Sequence, residues 1–205
     1  CLFYFGDVMS FVLHNLEKLS NAIVLFNILK RSSLIFLFGY LMYWFPFTGP
    51  IGETRILGVL QRIALCYGFA SLIAHFMHER VVMIIAAILL LLYWYLSMHF
   101  GVPGQELTML GNAGIEIDKL ILGESHMYHG EGIAFDPEGL LSTLPAIVNV
   151  LIGFRVGKFI QEKGKTYEGL TELLMWGAGF IFLGFMWNYQ FPINKKLWTS
   201  SFVML

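Results

Sequence analysis

The feature that most constrains this chain is a succession of apolar stretches of about 17 to 22 residues separated by short charged connectors. A helix rising about 1.5 Å per residue carries such a stretch across a hydrocarbon layer ~30 Å thick. Apolar length marks an incomplete span from Cys1 to Leu13, then Ser33 to Phe47, Ile56 to Met77, Val81 to Phe100, Gly139 to Ile160 and Leu173 to Phe191, with another beginning at Leu197. In lipid, backbone N–H and C=O groups must pair within their own helix or around a closed barrel, and the strict alternation of a barrel strand is absent. The expected fold is all-α, a polytopic transmembrane helix bundle.

Composition agrees, since 57% of residues are hydrophobic and only 13% charged, too few to cover a soluble core. A formal net charge of −1 suggests neither nucleic acid nor an anionic lipid surface as a partner, and the lipid bilayer is expected as one from apolar length alone. Cys66 falls inside a span and Cys1 is the first residue, which leaves no disulfide framework. Cys1 reads either as a lipidated start or as the cut end of a membrane helix, and the apolar run Leu2 to Phe5 favours the helix. With the apolar Phe202 to Leu205 at the other end, residues 1–205 are expected to be part of a single transmembrane domain truncated at both ends.

Lys18, Lys30, Arg31, Arg80, Lys158, Lys163 and Lys165 collect on one side of the expected spans, against Arg55, Lys119, Lys195 and Lys196 on the other. The excess of basic residues makes the first side cytoplasmic. The one long connector, residues 101–138, is then an extracytoplasmic loop. It carries Glu106, Glu116, Asp118, Glu124, Glu131, Asp136 and Glu138 against Lys119 alone, together with His126 and His129. It shows neither helical nor strand periodicity, and long connectors are often functional; a solvated acidic loop without a ligand is the alternative.

Asp136-Pro137-Glu138-Gly139 has the grammar of a helix start: Asp as N-cap, Pro at the first helical position and Glu near the positive end of the dipole. The same two carboxylates, at the mouth of a membrane helix, can take the hydroxyls or ammonium of a polar ligand. Gln61 and Arg62 lie about two turns, roughly 9 Å, into their span. Polar and ionisable groups at that depth point to a functional site, although an arginine there can also snorkel to the headgroups. His126 and His129 lack a third His or Cys ligand nearby, so no metal site is expected. An imidazole does suit proton transfer, and His129 is the candidate base within this chain. Arg155, His75, His78 and His99 read as interfacial, and Tyr40, Tyr43, Trp44, Phe45 and Phe47 as an aromatic belt. Pro145 is expected to interrupt its helix, and Gly153 with Gly157 to let another helix approach closely.

The successive motifs Arg55-Ile56-Leu57-Gly58-Val59-Leu60-Gln61-Arg62, Ile117-Asp118-Lys119 with Leu122-Gly123, His126-Met127-Tyr128, Phe135-Asp136-Pro137-Glu138-Gly139-Leu140-Leu141, and Pro192-Ile193-Asn194-Lys195-Lys196-Leu197-Trp198 resemble those of the heparan-alpha-glucosaminide N-acetyltransferase family and its bacterial relatives. The resemblance implies an integral enzyme, in a bacterial inner membrane, that takes acetyl from cytoplasmic acetyl-CoA and places it on the amino group of a glucosamine-type sugar on the far side. It implies Asp136, Glu138, His126, Gln61 and Arg62 on the substrate side. Asn194, Lys195 and Trp198 become candidates for acetyl-CoA, with a cation for phosphate and a ring for adenine. The family's catalytic histidine belongs to a segment ahead of a Phe- and Gly-rich helix, which Phe3, Phe5, Gly6, Met9, Ser10 and Phe11 match in part. None of the six histidines corresponds to it, and the family's C-terminal helices are absent, so the chain alone is expected to be catalytically incomplete.

A glucosamine ammonium must lose a proton before its nitrogen attacks a thioester, and the charge that develops on the thioester oxygen needs donors such as Arg62, Asn194 or Lys195. The alternative is an amino-sugar carrier. Against it, only Pro145 supplies a helix break, where alternating-access carriers show paired breaks in matching halves. A homo-oligomer is compatible with either.

Overall fold

The computed structural model describes residues 2–16, 20–48, 50–130, 132–164 and 166–205, with the side chains of 13–16 left aside. Cys1, Lys18, Glu131 and Lys165, which enter the sequence reading, lie outside the described residues. Among the described residues, eight α-helices follow one another: α1 Leu2–Leu16, α2 Asn21–Trp44, α3 Val59–Phe76, α4 Glu79–Phe100, α5 Ala113–Leu122, α6 Thr143–Lys163, α7 Tyr167–Asn188 and α8 Ser200–Val203. No strand occurs among the described residues. Five of these helices, α2, α3, α4, α6 and α7, are long and apolar enough to cross a membrane. The all-α polytopic membrane fold therefore stands.

The boundaries differ from the apolar runs in instructive ways. The span expected from Ser33 begins at Asn21, because Lys30 and Arg31 are carried on exposed positions of one 24-residue helix and do not break it. Long basic side chains lie along a helix and reach toward the headgroups, so a pair of them need not end a span. The 101–138 connector is not structureless. It contains α5, capped by the Asn112 Oδ1 accepting from Ile115 N at 3.1 Å and closed by Gly123 at φ 81°, followed by a 3-10 turn at Glu124–His126. Helix α6 starts at Thr143 and not at Gly139, so Asp136 is not its N-cap. Pro145 consequently falls in the first turn, where a missing N–H costs nothing, and interrupts no helix.

Helices α1 and α6 run parallel in close contact. A Cβ on Gly153 would overlap the Phe3 carbonyl oxygen, one on Gly6 the Val150 carbonyl oxygen, and one on Gly157 would meet Asp7 and Ser10. The small-residue step thus brings two backbones together, as interhelical dispersion in lipid requires. Polar clasps continue the seam, with Ser10 Oγ donating to Asp7 O at 2.7 Å and Gln161 Nε2 donating to Ser10 Oγ at 2.6 Å. The core inside this seam is made by Met9, Val24, Ile28, Cys66, Ala70, Leu90, Val148, Val150 and Leu151.

Chain direction sorts the connections into two ends. One end gathers the α3–α4 and α6–α7 links, where Glu79 pairs with Arg155 and Lys158. The other gathers the α2–α3 link, the α4–α6 connector and the segment after α7. The polar site lies at this second end.

Candidate functional site

The extended segment 54–58, which leads into α3, is where the acidic connector folds back. Ile56 N donates to His126 O at 3.2 Å, and His126 Nδ1 lies 2.8 Å from Thr54 O. Arg55 is the cation that meets the Asp136 and Glu138 carboxylates. Its Nη2 pairs with Asp136 Oδ1 and, at 2.7 Å, with Glu138 Oε2, while Nε donates to Asp136 Oδ1 at 3.1 Å. The guanidinium also lies 4.6 Å from the Tyr128 ring centre and 5.2 Å from that of Tyr43. Asp136 Oδ2 accepts from Tyr128 N at 3.3 Å. The two carboxylates that the sequence offers to a ligand are thus holding Arg55. Burial raises the Asp136 carboxyl above its ordinary value, with Arg55 pulling the other way.

One turn deeper, Arg62 on α3 is 4% exposed. Its Nη1 donates to Pro137 O at 3.1 Å and its Nη2 to Ser142 O at 2.8 Å, so the guanidinium closes the irregular turn at 137–142 from the membrane side. This is why α6 starts late: the carbonyls ahead of Thr143 are taken by an arginine and by Ser142 and Thr143 hydroxyls, which donate to Gly139 O at 2.9 and 3.1 Å. The Arg62 guanidinium also sits 4.3 Å from the Trp198 ring centre, and Trp198 Nε1 donates to Asn149 Oδ1 at 2.8 Å. A desolvated cation over an indole gains about 2 kcal/mol. Trp198 adopts φ 55°, a left-handed conformation costly for a bulky residue and characteristic of constrained functional positions.

Gln61, adjacent on α3, is fully buried against Gly39 of α2, and neither atom of its amide finds a hydrogen-bonding partner among the described residues. His126 and His129 sit on the connector, both with Nδ1 against a backbone carbonyl, Thr54 O and, at 2.9 Å, Met127 O. A carbonyl only accepts, so Nδ1 carries the hydrogen and Nε2 carries the lone pair of a base. Among the described residues, no group of three or more His, Cys, Asp or Glu is placed to hold a metal.

Asn194, Lys195 and Trp198 follow α7 at this same end. Asn194 Oδ1 accepts from Lys196 N at 2.9 Å and Leu197 N at 3.3 Å, so its amide closes a turn, while Lys195 is exposed. One face of the Trp198 ring is occupied by Arg62. Residues absent from the sequence reading of the site are Arg55, Asp118, Ser142 and Asn149. Arg55 was signalled by being a cation on the same side as an acidic connector whose own basic residue is Lys119. Asp118 was signalled by its place between Ile117 and Leu122 with Ile115 one turn back, a carboxylate amid apolar positions of a short helix.

Neutralising Asp136 and Glu138 together, as Asp136→Asn with Glu138→Gln, should strand Arg55 and loosen the connector while the spans stay folded. Charge-assisted hydrogen bonds contribute about 1.5–3 kcal/mol, so exchange at the Ile56 and Tyr128 amides should accelerate by roughly tenfold or more. Unchanged exchange at both amides would show that the carboxylates do not hold the connector.

Five helices of membrane-crossing length, enclosing an arginine held by carbonyls and an indole, define an integral membrane protein with a polar site inside its apolar bundle. The chain is similar to heparan-alpha-glucosaminide N-acetyltransferase of Mus musculus, 28% identical over 213 aligned residues that cover 76% of this chain and 32% of the mouse protein. It is likewise 28% identical over 209 residues to the protein of that name from Homo sapiens, covering 76% of this chain and 31% of the human one. No family model matches. The chain spans about a third of the length of the curated relatives it matches and is a distant, partial relative of them. The resemblance carried by the five motifs is thereby supported.

Proposed function

We propose that the protein to which this chain belongs transfers acetyl across a membrane, from acetyl-CoA supplied at the end bearing Glu79, Arg155 and Lys158 to the amino group of a glucosamine-type sugar at the end bearing the acidic connector. The likeness to named N-acetyltransferases supports the reaction class. The observation that carries it within this chain is Arg62, a cation enclosed in a span and aimed at backbone carbonyls and one indole. A preorganised cation in a dry site is what an oxygen gaining negative charge in acyl transfer needs.

In this reading Arg62 and Gln61 serve the thioester and amide oxygens, and His126 and His129 offer Nε2 to the proton leaving the sugar ammonium, His129 being the more exposed. Asp136 and Glu138 act with Arg55 as a rim that the sugar hydroxyls meet. Asn194, Lys195 and Trp198 belong to the reacting end, with Lys195 the one exposed cation among them. Residues 1–205 contribute to one transmembrane acyltransferase-like domain, with 101–138 as its sugar-facing cover.

The test supplies full-length protein in sealed vesicles with acetyl-labelled acetyl-CoA on one side and a glucosamine-terminated saccharide on the other. Label on the saccharide amine supports the transferase. Unmodified sugar crossing the bilayer, with no label on it, overturns the transferase in favour of a carrier.

A further inference from the structure

We propose that Asp118 is a positioning residue that fixes the 137–143 turn, and through its carbonyls the Arg62 guanidinium, by accepting the Leu140 N–H. The geometric claim stands on this chain alone, and its kinetic consequence rests on the transfer reading above. Asp118 lies on α5 and is 2% exposed, and its Oδ1 accepts from Leu140 N at 2.9 Å. Its Oδ2 lies so close to Gly139 that a Cβ there would overlap it. The turn is therefore held from two directions, by Asp118 on the connector side through an amide and by Arg62 on the membrane side through the carbonyls of Pro137 and Ser142. A shift in either grip is felt by the other, because Leu140 lies between the two carbonyls in sequence.

The groups facing Asp118 explain its state. A cavity of about 20 Å³, room for about one water, is lined by Asp118, Tyr93 of α4, Asn112 ahead of α5, Asp136 and Ser142 of the turn, and Lys196 of the segment after α7. Lys119, next to Asp118 on its own helix, pairs with Glu124 at 2.7 Å, and Arg55 is held by Asp136 and Glu138. Burial pushes the Asp118 carboxyl up to about 7, the Leu140 N–H opposes this, and the Asp136 charge adds to the rise. The folded protein therefore keeps a proton there that the unfolded chain releases near its ordinary value of 3.8. Folded protein binds more protons between these values, so stability falls as pH rises from 3.8 to about 7, while the Leu140 N–H favours the charged carboxylate and is held at least as firmly once the proton is lost.

The experiment compares full-length wild type, Asp118→Asn and Asp118→Ala by hydrogen exchange at Leu140 and by thermal midpoint, at about pH 5 and about pH 8. Wild type should show a lower thermal midpoint at the higher pH. Asp118→Asn keeps an acceptor for Leu140 without a titrating proton, so the midpoint shift between the two pH values should shrink while Leu140 exchange at each pH stays close to wild type. Asp118→Ala should exchange Leu140 at least about tenfold faster at both pH values. In the acetyl-transfer assay the alanine variant should lower kcat at least about tenfold with little change in the sugar KM, and the asparagine variant should restore it. An Asp118→Asn protein with the wild-type pH dependence overturns the proposal, and so does an Asp118→Ala protein with unaltered Leu140 exchange. If alanine prevents folding, the asparagine comparison decides alone. If no protein transfers label, the transfer reading fails while the exchange result still settles Asp118.

Discussion

Replacing Arg62 with leucine should both destabilise the bundle and abolish transfer. Leucine fills much of the volume but leaves the carbonyls of Pro137 and Ser142 without their donor at a buried position, and it removes the cation from the Trp198 face. Each unpaired buried carbonyl costs about 1–3 kcal/mol, and the lost cation–π contact about 2 kcal/mol. Relief of the guanidinium's own desolvation offsets part of this, so a net loss of about 3 kcal/mol is expected, read as a lower thermal midpoint in detergent. Lysine should not rescue, since a point charge with no planar fork cannot reach two carbonyls while stacking on an indole. Wild-type stability and wild-type transfer in Arg62→Leu together would remove Arg62 from both roles.

Gly153→Leu should part α1 from α6. The added side chain meets backbone atoms, the Phe3 carbonyl and the Gly6 Cα, which cannot swing aside as a flexible side chain does. Overpacking ordinarily costs about 1–3 kcal/mol, and a backbone clash between two helices belongs at the upper end or beyond. Cysteines at Ser10 and Gln161, whose side chains touch at 2.6 Å, report the contact directly. Their disulfide yield should fall about tenfold for each 1.4 kcal/mol of lost packing. The matching control is Gly177→Leu on α7, where a Cβ has nothing within 4 Å and the yield should hold. Equal yields in both variants would mean that the close approach is not what seats α1.

Much of this architecture was legible from local chemistry. Membrane helices announce themselves because lipid forces each apolar segment to satisfy its own backbone, and so α3, α4, α6 and α7 appear within a few residues of their apolar runs. The Gly153 and Gly157 step was equally legible, because only a missing side chain permits two backbones to touch. Charge is poor punctuation here: Lys30 and Arg31 seemed to lie ahead of a span starting at Ser33 and are carried within α2. The Asp136-Pro137 helix start was plausible by local rules and was overridden by three distant side chains.

The amino-acid sequence by itself determined that this chain belongs in a bilayer, where its long apolar helices lie, and that its polar residues concentrate toward one connector, because these follow from segment length and the cost of burying unpaired polar groups. Only the tertiary structure decided what those residues do to one another. Arg55 neutralises the pair 81 and 83 positions away that seemed free to bind, and Asp118 and Arg62 clasp one turn from opposite sides. Such partnerships are set by which helix ends meet in space, and no local pattern of spacing or propensity encodes them.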